Sequence, residues 1–181
     1  YNVRALIEHL RVATGNRPVP EVLLAGLEAA ADRALALNGL ERVATSLAET
    51  GSVARLAKEA LRRRLFLLCG AGEPFAAHVV PCLADLEDSD FPVGATGALA
   101  PFVVPEGEVH VRGRALARWH RRELLRICLA ELEGHLEVER TAEALTLLAD
   151  RTVEGAFEIA GGHKCKMAVI ALGKWGGNEL N

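Results

Sequence analysis

Apolar residues recur at helical spacing through most of this chain. Val3, Leu6, Ile7 and Leu10 fall on one face of a helix over 3–13. Asn16-Arg17-Pro18-Val19-Pro20 interrupts it. The pattern resumes over 21–37 with Val22, Leu23, Ala25, Ala29, Ala30, Ala34 and Leu37. Asn38-Gly39 tolerates a left-handed backbone, so this helix is expected to end there, with a short helix over 40–49. Ser52 is placed to N-cap a helix over 53–68 that carries Val53, Leu56, Ala57, Ala60, Leu61 and Leu68. Farther on, Leu125, Leu129 and Leu132 sit at i, i+4 and i+7 in a helix predicted over 114–133 and closed by Gly134. Thr141 is expected to cap a last long helix to residue 160, with Leu145, Leu148, Val153, Ala156 and Ile159 on its face and Gly161-Gly162 beyond.

Two stretches depart from this period. Residues 88–113 are punctuated by Pro92, Gly94, Gly97, Pro101, Pro105, Gly107 and Gly113, which predicts a linker or irregular cover loop. Within it, Phe102-Val103-Val104 and Val109-His110-Val111 are placed to pair as a small hairpin around Pro105-Glu106-Gly107. The second stretch is Met167 to Leu172, a short apolar run with β-branched residues in its middle and glycines on both sides, which predicts a buried strand. The chain therefore reads as mainly α. A helical region spans 1–87, the loop or linker 88–113, and helices leading into a strand and turn 114–181.

Composition narrows the classes. Half of the residues are hydrophobic but only 4% aromatic, which suits Ala- and Leu-rich helices. A net charge of −3 gives no global attraction to nucleic acid or to an anionic membrane. No apolar run reaches the roughly 18–20 residues of a membrane span. Cys69, Cys82, Cys128 and Cys165 form no C-x-x-C pair, so free thiols in a reducing compartment are expected, with no metal site. His163-x-Cys165 is half of a metal-binding spacing and lacks its partner. The histidines make no H-E-x-x-H motif.

Candidate chemistry lies in the charged clusters and the final turn. Arg62-Arg63-Arg64 reads as one solvated helical turn or as an anion site, the first being favoured. Arg126 lies between apolar neighbours, where a charge without a partner is expensive. Gly173-Lys174-Trp175-Gly176-Gly177 follows the predicted strand and can bring backbone N–H groups and one ammonium close to a phosphate. It is not a Walker A loop, since Ala168 and Trp175 stand where that motif needs Gly and Ser or Thr. It is not a dinucleotide fingerprint either, because Trp175 replaces the second glycine. A tight connection with no ligand remains the alternative.

The string Leu172-Gly173-Lys174-Trp175-Gly176-Gly177-Asn178-Glu179-Leu180-Asn181 resembles the signature of glutamine synthetase adenylyltransferases, the bifunctional adenylylating and adenylyl-removing enzymes. In that family the turn reads Gly-Lys-Leu-Gly-Gly-x-Glu-Leu-Asn, and a Ser-Ser-Asp-x-Asp strand follows. Trp175 is a minor departure from leucine at an apolar position. Arg118-Trp119-His120-Arg121-Arg122-Glu123-Leu124-Leu125-Arg126-Ile127 resembles the family's Arg-Arg-x-x-Leu-Arg-Ile helix.

The resemblance implies a helical bundle leading into the first strand of a nucleotidyltransferase-type α/β domain. It implies nucleotide or phosphate binding by Gly173, Lys174, Gly176 and Gly177, with Glu179, Asn181 and Arg126 in support. Substrates would be ATP, ADP or phosphate, with Mg²⁺ held by ligands beyond residue 181. The partners would be glutamine synthetase and, for a full-length parent, a PII-type signalling protein. The location would be cytoplasmic, with neither nucleic acid nor membrane as partner. The Glu179-Leu180-Asn181 ending is closer to the N-terminal, adenylyl-removing domain. From Tyr1 and Asn181 the chain is expected to be an internal fragment, inactive alone because its catalytic aspartates would follow. The alternatives are a helical interaction module and another member of the nucleotidyltransferase superfamily.

Overall fold

The computed structural model describes residues 3–15, 19–88, 90–92, 99–162 and 166–180, without the side chains of Val3, Ala5, Thr14 and Pro20. The chain divides into two compact units, Tyr1–Phe91 and Pro92–Asn181. The described residues are mainly helical and contain no paired strand.

The first unit holds α1 (Val3–Thr14), α2 (Val19–Ala29), α3 (Arg33–Glu49), α4 (Glu59–Ala71) and the short helices α5 (Phe75–Val79) and α6 (Leu83–Glu87). Its core is aliphatic: Leu6, Leu10, Leu40, Val43, Leu47, Leu56, Leu61, Leu65, Leu68 and Leu86 surround Phe66. Each such side chain contributes about 1.5–3 kcal/mol on leaving water. The helix expected to end at Asn38-Gly39 instead breaks around Ala30–Asp32, and α3 runs through the pair without interruption. Asp32 starts α3, its Oδ1 accepting from the N–H groups of Ala34 at 2.8 Å and Leu35 at 3.0 Å. Gly39 has a different purpose. A Cβ there would lie 2.5 Å from Cys69 Cβ, so the missing side chain lets α3 and α4 approach.

Ser52 makes no side-chain cap, and its hydroxyl donates to Thr50 O. A 3₁₀ turn, Val53–Ala57, follows, and α4 begins at Glu59. The solvated reading of the arginine cluster fails for two of its three members. Arg62 and Arg64 are buried. Arg62 donates to Leu56 O at 2.6 Å and Ala57 O at 2.7 Å, closing the 3₁₀ turn. Arg64 donates to Leu86 O at 2.9 Å and Asp88 O at 2.5 Å, holding the end of α6. Guanidinium suits this because it carries five donors in a fixed fork. Nearby, Glu87 accepts from Arg55 and Lys58, both at 2.7 Å. The bond from Arg55 leads in holding the Glu87 carboxyl below its ordinary range, with Lys58 adding to it against partial burial.

The second unit is a helical hairpin, α7 (Val109–Leu132) and α8 (Val138–Ile159). The expected pairing of 102–104 with 109–111 is not formed, because Val109–Val111 is the first turn of α7. Glu108 nucleates that turn: its carbonyl accepts from the N–H groups of Val111 and Arg112. Arg112 Nε also donates to Gly107 O at 2.7 Å. Residues 99–108 lie against the hairpin. Trp119 Nε1 donates to Ala100 O at 2.8 Å, and the Phe102 and Trp119 rings stand 5.5 Å apart. Gly155 on α8 leaves room for Phe102 and Leu116, which a Cβ would meet at 3.1 and 3.0 Å. Thr141 is not a cap. It lies inside α8, which starts at Val138, and its hydroxyl donates to Glu137 O.

Polar contacts hold α7 to Ala100 and to α8. Glu123, 0% exposed, accepts from Arg126 through Nε at 3.0 Å and from the Ala100 N–H at 3.2 Å. Across the hairpin, His120 Nδ1 lies 2.8 Å from Thr152 Oγ1, and that hydroxyl donates to Leu148 O. A hydroxyl has one hydrogen, so His120 donates to Thr152 from Nδ1.

Candidate functional site

The extended run Met167–Leu172 opens onto one helical turn, α9 (Gly173–Gly176). The run has strand-like backbone at its end, with Leu172 at φ −128° and ψ 163°, but joins no ladder among the described residues. Gly173 follows at φ 62°, a left-handed entry that a side chain would strain. The turn then closes on itself. Gly177 N–H donates to Gly173 O at 3.0 Å, Asn178 N–H to Trp175 O at 3.3 Å and Glu179 N–H to Lys174 O at 2.8 Å.

The last two bonds, with Asn178 at φ 59°, form a Schellman motif in which Asn178 takes the left-handed position. Gly134 ends α7 in the same way. Gly176 is required for space, since a Cβ there would stand 2.7 Å from Ala171 O. The run and the turn are thereby pressed together with no side chain between them.

The predicted site residues separate into two groups. Gly173, Lys174, Gly176, Gly177 and Glu179 share this turn, with Lys174 and Glu179 exposed. Arg126 stands on α7 instead, 6% exposed, its guanidinium held by the buried Glu123 carboxylate. Asn181, His163 and Cys165 lie outside the described residues. The N–H groups of Gly176 and Gly177 are engaged within the turn, the first weakly at 3.4 Å to Leu172 O.

Three features of the site escape a reading by spacing. Trp175 on α9 donates its indole N–H to Asp150 Oδ1 on α8 at 2.8 Å. Nothing in the sequence around Asp150 marks it for this contact. Asn178 after two glycines carries a legible signal, because asparagine is the usual substitute for glycine after a helix end. Last, Asn178, Glu179 and Leu180 line an open groove of about 650 Å³ with Cys128, Glu131 and the first turns of α8. Glu131, Glu139, Glu143 and Glu179 give that groove an acidic rim, unsuited to phosphate. Burial, reinforced by the Glu131 carboxylate, pushes the Cys128 thiol up to about 11, so it is protonated near neutral pH.

Among the described residues no three His, Cys, Asp or Glu side chains converge as a metal site. Glu179 is a single carboxylate beside the turn, and Asp150 already accepts the Trp175 indole. The described residues therefore do not fit an Mg²⁺ site.

Residues 94–181 match the family model described as glutamate-ammonia ligase adenylyltransferase. This part of the chain is similar to that family. Similarity to members of the adenylyltransferase family extends upstream of it. The bifunctional glutamine synthetase adenylyltransferase/adenylyl-removing enzyme of Streptomyces coelicolor is 33% identical over 179 residues, covering 88% of this chain and 17% of the relative. Its counterpart from Streptomyces avermitilis is 32% identical over 179 residues, with the same shares of 88% and 17%. The chain thus spans 17% of the length of these curated relatives. No solved structure matches. No helix among the described residues is long and apolar enough to cross a membrane.

Proposed function

We propose that this chain is part of an enzyme that removes AMP from glutamine synthetase by phosphorolysis, and that Met167–Leu172 is the first strand of its catalytic α/β domain. The observation that carries this reading is the junction at Ala171–Gly176. An exposed extended apolar run enters a turn whose Gly176 admits no side chain, within the region that matches the family. The relatives' names join adenylyltransferase and adenylyl-removing activities. The resemblance of Glu179-Leu180-Asn181 to the adenylyl-removing domain favours the N-terminal half.

In the proposed reaction a phosphate oxygen bonds to the AMP phosphorus and the bond to the tyrosyl oxygen breaks. That oxygen takes up a proton, and ADP leaves. Negative charge grows on the phosphoryl oxygens, where a cation stabilises it. Lys174, exposed in the turn, is the residue proposed to supply that charge. Mg²⁺, bound outside the described residues, would neutralise the phosphates further. A cytoplasmic location and a PII-type regulator belong to the same proposal.

The test uses a full-length enzyme containing this chain, adenylylated glutamine synthetase, Mg²⁺ and phosphate. ADP release is expected, and Lys174→Ala is expected to lower it about 10²-fold or less, as one electrostatic contributor among several. No release from the full-length enzyme, or rapid release from the 181-residue chain alone, would refute the assignment.

A further inference from the structure

We propose that Trp175 and Asp150 are positioning residues that pin the glycine turn to α8, a role that rests on the phosphorolytic reading above. Three of the five residues from Gly173 to Gly177 are glycines and one is the exposed Lys174. Trp175 is therefore the side chain in this turn large enough to anchor it. Its indole N–H reaches Asp150 Oδ1 at 2.8 Å, a bond strengthened by the charge on an ionised carboxylate. Leucine, which the family's signature has at this place, offers no donor. The substitution by Trp175 thus changes the chemistry of the turn and is more than an exchange of apolar groups.

The consequence reaches Lys174 through the backbone. Lys174 and Trp175 share a peptide plane, and the Lys174 carbonyl accepts from the Glu179 N–H at 2.8 Å. Fixing the indole on α8 fixes that plane and the point from which the Lys174 side chain departs. Asp150 sits well inside α8, which runs from Val138 to Ile159, so the anchor is a regular helix. The closed turn moves as one piece, and the tether decides where it points. Losing the tether lets the ammonium sample more positions relative to a phosphate. That lowers the rate of the chemical step more than the affinity.

Two measurements test the proposal together. The chain has two tryptophans, Trp119 and Trp175. In the ¹⁵N-labelled chain, Asp150→Ala should move the Trp175 indole resonance and speed its exchange with water, leaving that of Trp119 in place. Asp150→Asn, which keeps an acceptor, should restore most of the original signal. In the full-length enzyme, Trp175→Leu and Asp150→Ala should each lower kcat for ADP release about fivefold, with KM for phosphate nearly unchanged. That is the scale of one solvent-exposed hydrogen bond. The double variant should lose no more than the worse single one.

An indole signal indifferent to Asp150→Ala would overturn the tether. Additive losses, or unchanged kcat with a confirmed tether, would overturn its positioning role. Wild-type enzyme that releases no ADP would overturn the functional reading and the catalytic role with it, while the indole spectrum would still report the contact.

Discussion

Replacing Glu123 by alanine should be among the most damaging single changes in the second unit. Its carboxylate is fully buried, receives the Arg126 guanidinium, and also accepts from Arg122 at 3.0 Å and from the Ala100 N–H. Removing it leaves a guanidinium that is 6% exposed without its carboxylate partner, and takes away the acceptor that holds Ala100 against α7. Breaking a buried pair from one side costs about 3–5 kcal/mol, because the remaining charge stays desolvated. A unit of this size has a total stability of about 5–13 kcal/mol. Both tryptophans lie in this unit, so their emission during urea unfolding isolates its transition. With a urea slope of about 1–1.5 kcal/mol per molar, the midpoint should fall by about 2–5 M or the unit should be unfolded at the start. Replacing Glu123 and Arg126 together by methionine should recover most of the loss, since the buried charges then leave as a pair. A midpoint within about 0.5 M of wild type for Glu123→Ala would refute the argument.

Gly39→Ala should destabilise the first unit by about 1–3 kcal/mol through the clash with Cys69, outweighing alanine's better helix propensity. Gly113→Ala in α7, where a Cβ meets nothing within 4 Å, should instead stabilise by about 0.5–1 kcal/mol; equal signs in urea melts would contradict the packing account. The Glu87 carboxyl is held low in the folded state, so its contribution exists above the unfolded carboxylate pKa and disappears as pH falls through the folded one. The stability gap between wild type and Glu87→Gln, followed by far-UV circular dichroism, should therefore narrow on acidification, and a gap that widens would reverse the assignment. Burial pushes the Cys69 thiol up to about 12, so its alkylation in the native chain at pH 8 should be far slower than in urea, as mass spectrometry of the modified peptide would show.

Much of the helical layout was legible because 3.6-residue periodicity reflects a helix with one buried face. The failures share a cause: one local pattern serves two physical ends. Asn38-Gly39 has the composition of a helix stop, yet Gly39 is small because Cys69 packs there, and that partner lies far along the chain. Arg62-Arg63-Arg64 has the composition of a wet turn, yet two of its members satisfy carbonyls at the ends of neighbouring elements. Glycine and proline around 101–113 signal a loop, and they mask the start of α7 at Val109. At the candidate site the glycines are readable because positive φ and close backbone approach demand them. Arg126 was readable as a buried charge, although its company is Glu123 and not a ligand. Asp150 was silent, since an exposed aspartate on a helix looks the same with or without an indole above it.

The run from Met167 to Leu172 has a practical consequence for anyone handling the chain in solution. Successive side chains of an extended segment point to opposite sides. Here Met167, Val169, Ile170 and Leu172 are all exposed, the last two at 78% and 80%, so both sides are greasy. The run itself carries no charge, and the nearest ones are Lys166 before it and Lys174 after it. A short, uncharged, β-prone edge of this kind is a template for pairing with another copy of itself. The isolated chain should therefore associate as its concentration rises, and a lysine at Ile170 should suppress that association while leaving the helical units intact.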